Sequence, residues 1–71
     1  MASELETGLP SIRLIQTFIR EKTPVELKLV TNELLTGTVV WQDPYCLSLV
    51  DAAEQPTLIW RSALAYIKAK S

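Results

Sequence analysis

The chain of 71 residues contains no histidine, one cysteine and two glycines, and it has no excess of positive charge. Each shortage closes a class of function. Without histidine there is no Ser-His-Asp or Cys-His catalysis and no HxxxH metal motif, since these need a base or ligand that is neutral near physiological pH. A zinc site would lack its usual ligands, and Cys46 alone cannot form an internal disulfide. Gly8 and Gly37 lie too far apart to build a P-loop or a GxGxxG turn. These shortages argue against an enzyme. Seven basic against eight acidic side chains give a net charge of −1, so there is no bulk pull on nucleic acid or anionic membranes, and any nucleic-acid site has to be local. No apolar run approaches the ~20 residues of a membrane span, and the acidic start from Met1 to Pro10 is unlike a signal peptide. The expectation is a cytoplasmic protein with a reduced thiol and no membrane insertion.

What is present is a hydrophobic share of 48%, enough for one folded domain. A chain this short buries only about 60% of its unfolded surface and commonly leans on a disulfide, a metal or an oligomer. With the first two removed, self-association is the remaining support.

Residues 1–8 are polar, acidic and without periodicity, which predicts a mobile arm ahead of a domain over 9–71. From Pro10, a residue suited to a helix's first turn, Ile12, Ile15, Phe18 and Ile19 recur at three- and four-residue spacing. This predicts one amphipathic helix over roughly 10–21, closed near Lys22 because Pro24 disfavours helical geometry before it. The period then changes to two. Val25, Leu27 and Leu29 alternate with Glu26 and Lys28, Thr31-Asn32 supplies a turn, and a longer strand runs from Glu33 to Gln42. Its alternation sets Leu35, Gly37, Val39 and Trp41 on one face, and Gly37 at mid-strand marks a sharp bend or a close backbone approach. Asp43-Pro44 is a turn, after which Tyr45, Leu47 and Leu49 alternate with Cys46, Ser48 and Val50. Asp51 to Gln55 turns again, and Thr57–Arg61 and Leu64–Lys68 complete five short strands. The fold class is mainly β, an N-terminal helix followed by a strongly bent, barrel-like antiparallel sheet. An open sheet of this kind leaves two edges, and repeated edge pairing with a fixed rotation closes a ring.

The order Ile19-Arg20-Glu21-Lys22-Thr23-Pro24-Val25, the strand Val25 to Val30, then Leu35-Thr36-Gly37, Asp43 and Tyr45-x-Leu47 resembles Hfq, the bacterial branch of the Sm-like RNA-binding proteins. The likeness covers about residues 9–68. It implies a homohexameric ring acting as an RNA chaperone in small-RNA regulation, with U-rich RNA at a proximal pore, A-rich RNA on a distal face, a basic rim, no cofactor and no covalent chemistry.

Carried over by position, the proximal pore comprises Tyr45, Arg61, Ser62 and Ser11. Stacking on an aromatic ring is worth ~1–3 kcal/mol per base, although Tyr45 also reads as a barrel core residue because it alternates with Leu47 and Leu49. The family's Tyr-Lys-His-Ala segment is Trp60-Arg61-Ser62-Ala63 here, which keeps a cation but loses the imidazole, and the usual glutamine before the aromatic is Pro44. The distal positions are Lys28, Leu29, Asn32, Leu34 and Thr36, with Gln55 as a donor; Lys28 stands where the family stacks an aromatic, and these also read as solvated strand faces. The rim is reduced to Arg20 and Lys22 around Glu21, which also reads as an ordinary solvated helix end. Such departures resemble the divergent, cyanobacterial-type branch and imply weakened RNA binding. The alternative is a ring whose main partner is another protein docked on one face. Cys46 reads as a small buried hydrophobe, and Trp41 and Trp60 as packing or interface residues.

Overall fold

The computed structural model describes residues 9–70, so the predicted arm over residues 1–8 lies outside the described residues. A single helix, α1 (Pro10–Glu21), precedes five strands, β1 (Val25–Leu29), β2 (Leu34–Gln42), β3 (Cys46–Val50), β4 (Pro56–Trp60) and β5 (Leu64–Ala69), with a short 3-10 turn at Arg61–Ala63 between the last two. Pro10 opens the helix, and Ile12, Ile15 and Phe18 form its buried stripe. Burying side chains of this size is worth ~1.5–3 kcal/mol each, and that packing, rather than intrinsic propensity, holds a helix of 12 residues. Its end is closed by Lys22 in the left-handed region, with the Thr23 N–H donating back to the Phe18 carbonyl at 3.0 Å.

All strand pairs are antiparallel, in the order β4-β3-β2-β1-β5. The first half of β2 pairs with β1 (Val25 opposite Gly37, Lys28 opposite Leu34) and the second half with β3 (Thr38 opposite Val50, Val39 opposite Leu49). One strand therefore serves both halves of the sheet, and the pivot falls at Gly37. A Cβ built there would stand 2.4 Å from the Val50 carbonyl oxygen, so the backbones meet where only hydrogen fits. The bend wraps Val25, Leu27, Val39, Leu47, Leu49 and Ile59 into one core, which Ile15 and Phe18 of α1 cover.

The alternation read along β2 fails at one place. A register shift between Val39 and Trp41 inserts an extra residue, so Val39 is 1% exposed while Trp41 has left the core face and is 46% exposed. The strand read from Tyr45 begins at Cys46 instead. Strands β4 and β5 end the sheet, and Leu58 (53% exposed) and Trp60 (58%) on β4 and Tyr66 on β5 are left at or near open backbone edges.

Gly37→Ala forces the β2 and β3 backbones apart, and the expected cost is ~1–3 kcal/mol, as for overpacked cores. It should appear as a lower urea midpoint, with Thr36→Ala next to it as the control.

Candidate nucleic-acid interface

The turn between β2 and β3 is built on the Asp43 side chain. Its Oδ1 accepts the N–H of Tyr45 (2.9 Å) and of Cys46 (2.7 Å), while the Asp43 N–H donates to the Cys46 carbonyl at 2.9 Å. Pro44, between them, has no N–H to satisfy. Because a carboxylate, not a neighbouring strand, takes the Tyr45 N–H, the tyrosine leaves the ladder and is 73% exposed. Of the two readings of Tyr45, the core position is thereby overturned within the described chain.

Tyr45 and Arg61 are joined through the backbone, the Arg61 N–H donating to the Tyr45 carbonyl at 2.8 Å. The half-buried Arg61 side chain turns back over the same loop. Its Nε donates to the Asp43 carbonyl at 2.9 Å and its Nη2 to Gln42 Oε1, and Gln42 Nε2 makes a longer contact of 3.4 Å to the Ile12 carbonyl in the first turn of α1. The β2–β3 turn, the 3-10 turn and the helix start thus converge. Ser62 is exposed on that 3-10 turn, and Ser11 is exposed beside Ile12. Sequence reasoning misses Gln42, and no local pattern marks it, because its role depends on a contact across 30 residues.

Beside this turn, burial pushes the Cys46 thiol above its ordinary range. The Asp43 carboxylate adds to the rise, and the Arg61 charge opposes it without reversing it. Cys46 is a buried free thiol, as its place in the alternation suggests.

On the outer face of β1, β2 and β5, Lys28 lies opposite both Leu34 and Tyr66, and Glu26 opposite both Thr36 and Lys68. Leu29 instead packs against the core, and Asn32 turns the chain in the left-handed region at the β1–β2 turn. Gln55 sits elsewhere, in the β3–β4 turn, where its N–H donates to Asp51 Oδ1 at 3.0 Å, so one chain does not bring it to Asn32. Tyr66 is the residue that sequence reasoning misses on this face. Its hydroxyl donates to Glu26 Oε2 at 2.8 Å, and Lys68 Nζ lies 5.6 Å from its ring centroid and 3.8 Å from Glu26. The signal for it is the alternation along β5, which sets Tyr66 and Lys68 on one side. At the helix end, Arg20 and Glu21 form an exposed pair at 3.9 Å, a geometry worth little in water, and Lys22 is the capping residue. No cluster of metal-ligating side chains occurs among the described residues, and no described helix is long and apolar enough to cross a membrane.

A helix lying on an open, strongly bent five-stranded antiparallel sheet, with an aromatic and a cation presented by adjoining turns, defines the Sm-like class. A family model described as Hfq-related matches residues 9–69. The crystal structure of an Hfq protein from Anabaena sp. is 48% identical, covers 89% of this chain and 100% of its own, and superposes with a TM-score of 0.80. A second structure, described as the pleiotropic translational regulator Hfq, is 19% identical over 83% of this chain and 97% of its own, with a TM-score of 0.78, and speaks for the fold. A comparison with curated proteins finds no match. The chain belongs to the Hfq-related family of Sm-like RNA-binding proteins, in its cyanobacterial branch.

The hydrogen bond from Tyr66 to Glu26 is the largest of three influences that raise the phenol's pKa, followed by burial and by the carboxylate's charge. Glu26→Gln removes the charge and weakens the bond. The Tyr66 phenol should then ionise at lower pH, which spectrophotometric titration compared with a Tyr66→Phe blank measures.

Proposed function

We propose that this chain assembles as a homo-oligomeric ring, six chains by the resemblance, that binds single-stranded RNA in the cytoplasm and acts in post-transcriptional regulation with small RNAs. U-rich sequence is favoured over A-rich, at the turn carrying Tyr45, Arg61 and Ser62. The observation that carries this reading is the exposed Tyr45 ring on a turn fixed by Asp43 and joined to Arg61 at 2.8 Å. Such a pair supplies a stacking surface and a cation on turns joined through the backbone, the two elements that sequence-tolerant single-strand binding needs. Serine in place of the imidazole removes ring area and a nitrogen pair, and a net charge of −1 per chain adds no long-range attraction, so affinity is low and falls with salt. On the outer sheet face, the charge of Lys28 and the tie between Tyr66 and Glu26 offer less for a base to stack on. The reading assigns no reaction to the chain.

A second reading, a ring whose main partner is a protein, draws on the exposed Leu14 of α1 and Trp41 of β2, apolar surface that RNA does not require. A pull-down with nuclease treatment separates the two. A stoichiometric protein that survives nuclease favours the second, and recovery of RNA alone favours the first.

Anisotropy with labelled oligo-U should give binding that weakens with salt and is tighter than with oligo-A. Tyr45→Ala should lose about 1–3 kcal/mol, the worth of one stacked base. Equal binding by parent and Tyr45→Ala removes the pore assignment.

Light scattering should give a mass near six chains. Trp60→Glu, which sets a charge at the β4 edge, should lower that mass, because buried unpaired charge disfavours edge pairing. A parent that scatters as a monomer removes the ring.

A further inference from the structure

We infer that Gln42 is a positioning residue for Arg61, holding the guanidinium over the β2–β3 turn that carries Tyr45 without neutralising it. The inference rests on the reading of Tyr45 and Arg61 as an RNA contact and concerns how that contact is prepared. Both groups that hold the guanidinium are neutral, the Asp43 main-chain carbonyl on Nε and the Gln42 amide oxygen on Nη2. One oxygen of the Asp43 carboxylate, Oδ1, takes the N–H groups of Tyr45 and Cys46, and the carboxylate makes no ion pair with Arg61. The ion pairs among the described residues, Arg20 with Glu21 and Lys68 with Glu26, do not include Arg61. The cation is thus oriented without being drawn into an ion pair, and Nη1 makes no hydrogen bond among the described residues. A fixed charge of this kind meets an anionic oxygen without first ordering a long side chain, an ordering that otherwise weakens binding.

The chemistry of the partners fixes which way the Gln42 amide faces. Arginine only donates and the Ile12 carbonyl only accepts, so the amide oxygen must face Arg61 and the NH2 group must face α1. The register shift after Val39 puts Gln42 there, opposite Leu47 on the core-facing side of the sheet. Glutamate of equal length at this position would pair with Arg61 and cancel its charge. Methionine, also of similar length, would leave the charge and remove the hold.

The experiment measures binding of labelled oligo-U across a salt series for the parent ring, Gln42→Glu and Gln42→Met, each in the Arg61 and Arg61→Ala backgrounds, with scattering and thermal melts to confirm intact rings. Gln42→Glu should bind about tenfold more weakly at low salt, with a slope shallower by about 0.7 for each phosphate that is no longer neutralised. Gln42→Met should bind about threefold more weakly with the parent's slope, since charge is retained and only orientation is lost. In the Arg61→Ala background neither change should alter binding. A merely structural role predicts equal losses from both variants with no change of slope, and that result overturns the inference. So does parent-like binding by both variants, or an undiminished effect in Arg61→Ala, and each of these leaves the RNA reading standing. A parent ring that binds no single-stranded RNA removes that reading, and the inference with it.

Discussion

The contact of Gly37 with the Val50 carbonyl is the constraint on which the rest of the structure depends. A straight β2 would extend into a flat sheet with one apolar face uncovered, and a helix of 12 residues could not cover it. Because the two backbones meet at Gly37, the strand turns, and Val25 and Leu27 on one side face Leu47, Leu49 and Ile59 on the other across one core. Ile15 and Phe18 then suffice to close it. The same bend leaves β4 and β5 at the ends of the sheet without bringing them together, so the fold is complete in its core and incomplete at its edges.

Downstream of that bend, a second node sets the turn that carries the proposed site. Asp43 satisfies two N–H groups with one carboxylate oxygen, Pro44 removes a third from need, and Tyr45 is released from the ladder. Arg61 closes the node from the turn after β4, and through Gln42 it reaches the main chain of α1. An aromatic placed on a loose loop would lose much of its stacking energy to ordering on binding. Here hydrogen bonds within the chain itself order the turn.

How much of this is legible in the sequence follows from which interactions are local. The three- and four-residue spacing of Ile12, Ile15 and Phe18, with proline at one end, locates α1 closely, and the two-residue alternation locates all five strands to within a residue or two. Gly37 stands out because a glycine inside a strand needs a reason. The bulge after Val39 does not show, because an inserted residue leaves the apolar run intact while moving Trp41 to the other side. Beside the stacking position that resemblance gives it, Tyr45 also reads as a core residue for a related cause, since alternation assumes that the ladder continues, and it is Asp43 that stops it. Alternation along β5 gives the side on which Tyr66 lies but not its tie to Glu26, and nothing local marks Gln42, because their partners, Glu26 and Ile12, lie 40 and 30 residues away. Resemblance supplies the family, whereas the tethering of Arg61 emerges only in the folded chain.

In the proposed reading, one oriented cation and one exposed ring per chain make a weak site, and a net charge of −1 gives it no help from a distance. Weakness of that size is not a defect in a ring. When a strand engages one subunit, its next contact is intramolecular, at an effective concentration set by the spacing of identical sites, so avidity exceeds single-site affinity without any new contact. Open edges on β4 and β5 therefore have two consequences in the proposed assembly. They supply the burial that a chain of 71 residues lacks, and by fixing how many copies of the Tyr45–Arg61 turn face a common centre, they set how tightly one RNA strand is held. Stability and binding strength then vary together, because both depend on the same pair of strand edges.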